Sequence, residues 1–391
     1  MNLAILDKET QHFIQTNLKT VVPNLVLRGS SFPKVSIQEI AEQIISKNKC
    51  EKKLPTWFHQ ENIYYPHKIN IEQTSSEITA TYKANLVSGS HLIDITGGFG
   101  VDSYYFSKKI KQVTHCEINS ELIAIAKHNS TQLNVNNIDY LNEDGIAFLK
   151  KSNTTYDWIY ADPSRRNESK EKVILLEDCS PNIKEYIDLL LTKAAHIIIK
   201  VSPILDITKT INDLKNVKEV HIIGINNEVK ELLFIIEKDF NETLLFKTIN
   251  YTKKESQCFN FTLNTKESAS YTEPKNFLYE PNACILKGGA FQQISCKFNI
   301  EKLHKHSHLY TSESLVKFPG RIFEIQHCIN YDKKQLKKLI PTKKANITVR
   351  NFPESVSQIR KKTGLKEGGD IYVFFTTTLN NLHKALICKK L

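Results

Sequence analysis

The feature that most constrains the fold is a regular alternation of short apolar segments with amphipathic ones between residues 91 and 237. The apolar segments, bounded by polar turns, predict strands, and the amphipathic segments between them predict helices. Such an alternation produces a parallel sheet, because each helix returns the chain to the same end of the sheet. The predicted strands are His91–Ile95, Gln112–Glu117, Ile138–Leu141, Trp158–Ala161, His196–Val201, Val217–Ile225 and Leu232–Glu237. The predicted helices are Val101–Ile110, Ser120–Leu133, Gly145–Lys151, Asn182–Ala194 and Ile207–Leu214.

The last two predicted strands break this alternation. Asn226-Asn227-Glu228 leads from one to the other with no room for a helix, so the two strands should form an antiparallel hairpin on the sheet edge. Five parallel strands followed by an edge hairpin indicate an α/β fold with the Rossmann-like sheet of class I methyltransferases. A dinucleotide-binding fold would have six parallel strands instead.

Four regions are predicted along the chain. Residues 1–88 form a helical region, in which Ser36-Ile-Gln-Glu39 and Thr74-Ser-Ser-Glu77 each predict a capping box at a helix start. Residues 89–240 form the α/β domain, 241–315 a linker with edge strands and a small module, and 316–391 a small α+β domain. The strands and helices predicted in that last domain are Arg321–His327, Lys333–Leu339, Asn346–Arg350, Ser355–Lys362, Ile371–Thr376 and His383–Cys388.

The net charge is concentrated at one end of the sequence. The whole chain has a formal net charge of +11, and all of this excess lies in the last 91 residues, where 18 Lys and Arg face 7 Asp and Glu. A chain whose first 300 residues are neutral and whose C-terminal domain is basic suits an enzyme that binds nucleic acid. A solvated lysine-rich surface would give the same distribution of charge. The candidate RNA-gripping lysines are Lys333, Lys334, Lys337, Lys338, Lys343 and Lys344.

A glycine-rich turn, Asp94-Ile-Thr-Gly-Gly-Phe-Gly100, follows the first predicted strand of the α/β domain. Gly98 and Gly100 let the backbone approach a ligand closely, and the helix that follows favours a carboxylate at its N-terminus. A dinucleotide-binding loop would have a third glycine where this chain has Ser103. The Asp94 carboxylate suits a ligand with an ammonium and a sulfonium group, which indicates S-adenosylmethionine.

Three more acids follow successive predicted strands, at positions 117, 144 and 162. Since the carboxyl ends of parallel strands meet at one sheet edge, these acids should line one site. Glu117 is expected to accept both ribose hydroxyls of the cofactor, and Asp144 the adenine amino group. The full set of predicted cofactor-binding residues is Asp94, Thr96, Gly97, Gly98, Phe99, Gly100, Glu117, Ile118, Asp144 and Gly145.

The segment Asp162-Pro-Ser-Arg-Arg166 indicates the methyl acceptor. In enzymes that methylate base nitrogens, an acid or Asn followed by Pro lies against a flipped-out base and accepts from its amino group. Asp162, Pro163, Ser164 and Arg165 are therefore the predicted catalytic residues, and Arg166 is predicted to bind RNA. The two arginines could equally pair with nearby glutamates. Lys200-Val-Ser-Pro203 should face the same pocket. No nucleophilic cysteine lies near it, which argues against a C5-pyrimidine methyltransferase, and Cys179 is expected on a helix.

Other classes of protein are not favoured. The eight cysteines have no Cys-x-x-Cys pair, which predicts reduced thiols in a cytoplasmic protein. No apolar run is long enough to span a membrane. His304, His306 and His308 should share one face of a strand, but no acid or cysteine is spaced to complete a metal site with them, so no metal is expected.

Several blocks of the sequence together resemble one known group of proteins. The chain is similar to bacterial class I methyltransferases that have a helical N-terminal region, a Rossmann-like core, a small ferredoxin-like insert and a C-terminal THUMP-like domain. Besides the glycine loop and Asp162-Pro-Ser-Arg-Arg166, the resemblance rests on residues 73–80, 200–203, 227–231, Tyr279-Glu-Pro-Asn282 and His308-Leu-Tyr-Thr-Ser312. It implies S-adenosylmethionine as cofactor and, since THUMP domains bind RNA, a tRNA or rRNA substrate.

These observations predict a cytoplasmic S-adenosylmethionine-dependent methyltransferase that modifies a base nitrogen in tRNA or rRNA. Two alternatives remain open. In one, the acceptor is a protein or a small molecule and the C-terminal domain serves dimerisation. In the other, the chain is a non-catalytic RNA-binding protein with a degenerate cofactor pocket.

Overall fold

The computed structural model describes residues 1–165, 175–263 and 267–391, and divides them into two compact units. The first unit comprises Met1–Val217 and Leu233–Asn241, and the second comprises Lys218–Leu232 and Glu242–Leu391. Each unit has its own sheet strands and its own buried apolar residues.

The first unit begins with helices, as predicted. After a 3-10 turn at Leu3–Leu6, the helices are α1 Lys8–Thr16, α2 Val22–Arg28, α3 Ile37–Lys53, α4 Pro55–His59, α5 Lys68–Gln73 and α6 Glu77–Ala84. The capping box predicted at the start of α3 is confirmed: Ser36 Oγ accepts from the Glu39 backbone N–H, and Glu39 Oε2 accepts from that of Ser36.

The second predicted capping box is wrong. Thr74 ends α5, and the N-cap of α6 is Ser76, whose Oγ accepts from the Thr79 backbone N–H at 3.3 Å. Glu77 is the first residue of α6, and its carboxylate accepts from the backbone N–H of Thr56. Neighbouring cap-forming residues compete here, and the start at Ser76 places Ala80 and Ala84 in the core.

The predicted alternation of strands and helices is confirmed in the region that follows. The elements are β1 Gly89–Asp94, α7 Val101–Ser107, β2 Ile110–Cys116, α8 Ser120–Gln132, β3 Ile138–Leu141, α9 Gly145–Lys151, β4 Tyr156–Ala161, β5 Ser164–Arg165, β6 Cys179–Ser180, α10 Ile183–Lys193, β7 Ala194–Val201, α11 Ile207–Asp213, β8 Val217–Ile225 and β9 Glu228–Glu237. Cys179, expected on a helix, lies in β6.

The first unit is organised around parallel strands in the order β7-β4-β1-β2-β3, and the end of β9 lies beside β7. Ile93, Ile159 and Ile198, in three of these strands, are fully buried, because helices cover both faces of such a sheet. This is the predicted Rossmann-like α/β fold. The carboxyl ends of β4, β1, β2 and β3 therefore lie side by side at one edge.

The predicted hairpin exists, but it is not at the sheet edge. β8 and β9 are joined by Asn226 and Asn227, both with positive φ, as a two-residue hairpin turn requires. In the second unit the strand order is β11-β10-β8-β9, where β10 spans Leu245–Tyr251 and β11 spans Ser256–Phe261. β10 pairs with β8 in parallel and so covers the hairpin's outer side. The buried face of β10 includes Thr248 and Asn250, and these polar residues hide its strand pattern in the sequence.

The rest of the second unit contains a seven-stranded sheet in the order β13-β14-β12-β15-β18-β17-β16. Its elements are β12 Phe277–Pro281, α12 Ala283–Gly288, α13 Gln293–Phe298, β13 Glu301–Lys302, β14 Tyr310–Ser312, β15 Gly320–Asn330, α14 Lys333–Leu339, β16 Asn346–Arg350, α15 Val356–Thr363, β17 Ile371–Thr377 and β18 His383–Lys390. The order predicted for the C-terminal domain is confirmed. β12 pairs with β15, so residues 277–319 and the C-terminal domain share one sheet.

Candidate active site

The glycine turn lies between β1 and α7, as predicted, and each glycine has a different structural reason. Gly98 and Gly100 have φ of +55° and +84°, which favour glycine. Gly97 has no such backbone, but a Cβ there would lie 2.2 Å from the His115 ring, so a side chain has no space. No sequence pattern indicates this contact, because His115 lies on the next strand.

Asp94, the last residue of β1, is the buried centre of the site. It is 1% exposed, and its Oδ2 accepts from Ser103 Oγ at 2.7 Å while its Oδ1 accepts from the Thr96 backbone N–H at 3.0 Å. Burial raises the pKa of Asp94 to about 7, although these hydrogen bonds oppose the rise. A nearby positive charge would therefore favour the ionised carboxylate.

Ser103, which stands where a dinucleotide loop has glycine, connects Asp94 to His115. Ser103 Oγ lies 2.9 Å from His115 Nδ1, and because its one hydrogen goes to Asp94, the Nδ1–H of His115 is the donor. Burial lowers the pKa of His115 to about 3, so the ring is neutral. Its Nε2 is buried and has no hydrogen-bond partner in the described part of the chain. His115 thus orients Ser103 and packs against Gly97.

Glu117 and Ile118 follow β2 at the same edge. Glu117 Oε2 accepts from the Gly98 backbone N–H at 2.8 Å, and its Oε1 accepts from that of Asn119 at 2.8 Å. Each carboxylate oxygen retains a lone pair for another donor. Ile118 is 72% exposed, several other large apolar side chains of this unit are exposed too, and its predicted contact with the cofactor stays a prediction.

Asp144 and Gly145 follow β3. Asp144 is exposed and caps α9, since its Oδ1 accepts from the Ala147 backbone N–H at 2.8 Å. A Cβ at Gly145 would lie 2.5 Å from Ile95, so this glycine allows α9 to approach the residue that follows β1. The helix cap accounts for Asp144 without a ligand, and its predicted contact with adenine stays a prediction.

Asp162, one residue beyond β4, is joined to both the glycine turn and β7. Its backbone N–H donates to Thr96 Oγ1 at 2.7 Å, and its Oδ2 accepts from Lys200 Nζ, so the two form an ion pair. Thr96 also contacts Asp94, which brings the two acids together. Burial raises the pKa of Asp162, and the charge of Lys200 opposes that rise.

The residues after Asp162 are only partly described. Pro163 is buried, and Ser164 is exposed and pairs with Ser180 through the short ladder of β5 and β6. The backbone of Arg165 pairs with Cys179 in the same ladder. Arg166, predicted to bind RNA, lies outside the described residues.

Beneath the site lies a buried polar network that sequence patterns did not predict. Lys83 of α6 is fully buried, with its Nζ 3.2 Å from Asp102 Oδ1 and 2.9 Å from Ser75 Oγ. Asp102 Oδ2 accepts from Ser75 Oγ and from the Tyr160 hydroxyl, each at 2.8 Å. Burial alone would raise the pKa of Asp102, but the two lysines, Lys83 and Lys200, and these hydrogen bonds hold it below its usual range. The one available sequence signal was a lysine on the apolar face of α6.

The predicted RNA-gripping residues and the three histidines lie in the second unit. The six lysines at 333, 334, 337, 338, 343 and 344 are all exposed, four of them on α14 around the buried Leu336. The sequence predicted a strand for the three histidines, and this prediction is wrong. The turn between β13 and β14 contains His304, His306 and His308. In the described ranges no group of three or more His, Cys, Asp or Glu is placed to hold a metal ion.

Comparison with known protein families finds two domains in the second unit. Residues 277–319 match a ferredoxin-like domain, and residues 320–390 match a family described as THUMP domain-like. Both were implied by the resemblance seen in the sequence, and that resemblance is confirmed. In the described parts of the chain, no helix is both long and apolar enough to cross a membrane.

Known proteins and structures resemble the chain to different extents. A crystal structure described as a "putative methyltransferase" from Porphyromonas gingivalis W83 is 29% identical and covers 99% of this chain and 98% of its own, with a TM-score of 0.87. An uncharacterised RNA methyltransferase of Mycoplasma mobile is 29% identical over 91 residues, which are 23% of this chain and a quarter of that relative's length. TrmK of M. capricolum, solved with S-adenosylhomocysteine, is 17% identical and covers 45% of this chain and 70% of its own, with a TM-score of 0.33.

Proposed function

We propose that this chain is an S-adenosylmethionine-dependent methyltransferase that acts on a base nitrogen in tRNA or rRNA in the cytoplasm. The observation that carries the proposal is the position of Asp162. This partly buried acid lies beside Asp94 through their shared contact with Thr96, at the carboxyl edge of a Rossmann-like sheet. One acid at that edge would thus face the cofactor and the other the acceptor.

The cofactor end of the site suits a molecule with positive charge. Bound S-adenosylmethionine would supply an activated methyl group on its sulfonium, and Asp94 would accept from its ammonium group. The Gly98 and Gly100 backbone leaves room for the methionine moiety before the α7 N-terminus. Glu117 would accept the ribose hydroxyls with its remaining lone pairs, and the exposed Ile118 would cover the adenine.

The acceptor end requires a group that receives hydrogen from an amino nitrogen. Asp162 is oriented by the hydrogen bond from its backbone N–H to Thr96 Oγ1 and by the rigid Pro163. The charge of Lys200 favours the ionised form of Asp162. An ionised carboxylate at this place would hold an exocyclic amine in line with the methyl group and take its proton after transfer. Ser164 and Arg165 would hold the rest of the acceptor.

An RNA acceptor is supported by the second unit and by one relative. The exposed lysines of α14 and of residues 343–344 provide positive charge on a THUMP-like domain, and the Mycoplasma mobile relative is named an RNA methyltransferase. A cation surface of this kind binds RNA phosphates with a strong dependence on salt.

Mass spectrometry of nucleosides from tRNA and rRNA would test the proposed reaction. RNA from cells that lack the gene should miss one methylated base, and the purified protein with S-adenosylmethionine should restore it. Asp162→Ala should abolish the transfer but change S-adenosylmethionine affinity, measured by calorimetry, by less than about threefold. Asp139→Ala, at an exposed acid on β3, is the matched control and should remain active. Equal loss of binding and transfer would assign Asp162 to the cofactor pocket.

The role of the α14 lysines calls for substitutions, because removal of residues 316–391 would also take β15 away from β12. Lys333, Lys334 and Lys337 changed together to Gln should weaken RNA binding and lower its salt dependence by about two counterions. The control carries Gln at the exposed Lys109, Lys111 and Lys127 of the first unit. Unchanged RNA affinity in the first variant would favour a protein or small-molecule acceptor.

A further inference from the structure

A group of basic side chains lies in the second unit, apart from the residues assigned to methyl transfer. Lys302, His306 and Arg350 act electrostatically on His308, and Arg321 shares Glu280 with Arg350. We call this group the cationic cluster and define it as Lys302, His306, His308, Arg321 and Arg350. Two sequence blocks to which the proposed function gives no role, Tyr279-Glu-Pro-Asn282 and His308-Leu-Tyr-Thr-Ser312, supply part of the cluster and its surroundings.

The two arginines converge on one buried acid. Glu280 is 2% exposed, and Arg321 donates to its Oε2 through Nε at 2.6 Å, while Arg350 donates to its Oε1 through Nη2 at 2.8 Å. About a third of each arginine side chain is exposed, so both keep N–H groups directed away from Glu280. One carboxylate thus fixes two guanidinium groups and neutralises only one of them.

Lys302 adds a further charge that no acid of the described ranges pairs with. It is 1% exposed and lies near the rings of Tyr271, Phe291 and Tyr310, and its Nζ donates to the Lys305 carbonyl at 3.1 Å. Burial lowers its pKa to about 8, so it is mainly charged at pH 7. Buried charges in proteins are normally paired, whereas aromatic faces and a carbonyl stabilise this one.

His308 lies next to these cations in a strained backbone. Its φ is +51°, its ring stacks on Phe291 at 3.6 Å, and its buried Nδ1 has no hydrogen-bond partner within the described ranges. Burial and the charges of Lys302, His306 and Arg350 lower the pKa of His308 to about 4. The ring is therefore held neutral in a positive field, with one unused nitrogen.

The turn that carries His306 and His308 is held in place from three sides. His304 Nδ1 accepts from Asn351 Nδ2 at 3.0 Å and from the His306 backbone N–H at 3.2 Å, and its Nε2–H donates to Asn381. This buried histidine ties the turn to the segments that follow β16 and β17. The cations are thus preorganised, which is what binding of a small charged group requires.

We propose that the cationic cluster binds a phosphate group, either as part of an RNA backbone or as free phosphate. Lys302, Arg321 and Arg350 carry three positive charges against the one negative charge of Glu280. An inorganic phosphate dianion would balance the excess of two charges, and one phosphodiester of an RNA backbone would balance half of it. Guanidinium groups suit phosphate because they offer paired N–H donors, and His306 and His308 offer further nitrogens. This proposal does not depend on the proposed methyl transfer, because none of the five residues is assigned to that reaction.

Calorimetric titration of the full chain with inorganic phosphate, at pH 7 and constant ionic strength set with chloride, tests the proposal. We expect saturable binding at one site. Arg350→Gln should weaken it at least about tenfold, and His306→Gln by a smaller factor. Lys361→Gln, at an exposed lysine of α15, should leave it unchanged. Absence of saturable binding, or equal affinity in all four proteins, would overturn the site.

Two further measurements keep the test decisive. If Arg350→Gln does not fold, His306→Gln decides the matter, because the His306 side chain is exposed and its loss should spare the fold. A fluorescent 20-nucleotide RNA distinguishes the sources of phosphate. Competition between phosphate and RNA, with weaker RNA binding by His306→Gln, indicates the RNA backbone. Phosphate binding that leaves RNA affinity unchanged indicates a free phosphate, and both outcomes support the site.

Discussion

The two units contain opposite excesses of charge among their buried and partly buried side chains. In the first unit three acids, Asp94, Asp102 and Asp162, lie around the two lysines Lys83 and Lys200. In the second unit Arg321 and Arg350 share a single acid, Glu280, and the buried Lys302 has no paired acid in the described ranges. Burial of an unbalanced charge costs stability, so each excess predicts the sign of the ligand charge that would stabilise it. The comparison predicts a cation for the first unit and an anion for the second.

The largest expected effect concerns the lysine beneath the first site. Lys83→Met should lower the free energy of unfolding by roughly 3–5 kcal/mol, because Asp102 would remain buried with one partner fewer. Urea unfolding at pH 7 measures this, with Lys109→Met at an exposed position as control. Addition of Asp102→Asn to Lys83→Met should restore part of the loss. A decrease below about 1 kcal/mol would mean that Asp102 is not ionised, and would weaken the charge comparison.

In the second unit the corresponding substitution should have the opposite sign. The pKa of Lys302 is about 8 in the folded chain against an ordinary value of 10.5, so the unfolded chain binds more protons between these values. The free energy of unfolding should therefore rise with pH from about 8 to 10.5, by roughly 3 kcal/mol from this residue. Lys302→Met should be more stable at pH 7 and lack that rise. Urea unfolding at several pH values would refute the assignment if both proteins responded alike.

The binding of two ligands that differ in charge tests whether Asp94 of the first unit recognises a cation. Asp94→Asn should weaken S-adenosylmethionine binding by about ten- to a hundredfold, and S-adenosylhomocysteine binding less, because the latter lacks the sulfonium charge. Since the pKa of Asp94 is about 7, the unsubstituted protein should lose S-adenosylmethionine affinity as the pH falls below 7, and the variant should not. Calorimetry at pH 5.5 to 8 measures both ligands. Equal losses for the two would contradict a role in charge recognition.

The smallest effect is expected at Lys200, and it is a shift in pH dependence. Without the opposing charge of Lys200, burial should raise the pKa of Asp162 further. The acidic limb of the methyl-transfer rate in Lys200→Met should move to higher pH, while Lys200→Arg should retain the original limb. A lower rate with an unmoved limb would show that Lys200 does not set the charge of Asp162.

Much of this fold follows from patterns that are local in sequence. Strands β3 and β8 and helices α9 and α14 have the predicted bounds. The apolar periodicity and the capping residues that define these elements lie within each segment of the sequence. The position of the hairpin was predicted wrongly, since β10 buries Thr248 and Asn250 and does not resemble a core strand. The Thr74 cap failed because Ser76, two residues further on, offers the same chemistry.

The site divides in the same way. The acids that follow successive strands could be predicted as one site, because the carboxyl ends of parallel strands lie side by side at one edge of the sheet. The contacts of His115 with Gly97 and of Lys83 with Asp102 join residues from different elements, and no spacing rule links them. The hydrogen bond between Arg350 and Glu280 joins residues that are 70 positions apart in the sequence, so local patterns could not indicate it either.

The buried pair between Lys83 and Asp102 also bears on how this architecture could be reused. Ser75 and Lys83 precede the first strand of the sheet, yet they satisfy an acid on the helix just after the glycine turn. Residues 89–240 alone would keep the buried Asp102 carboxylate without Lys83 and Ser75, with the Tyr160 hydroxyl and the charge of Lys200 as its remaining stabilisation. A stable shortened form of this α/β region should therefore begin upstream of Ser75.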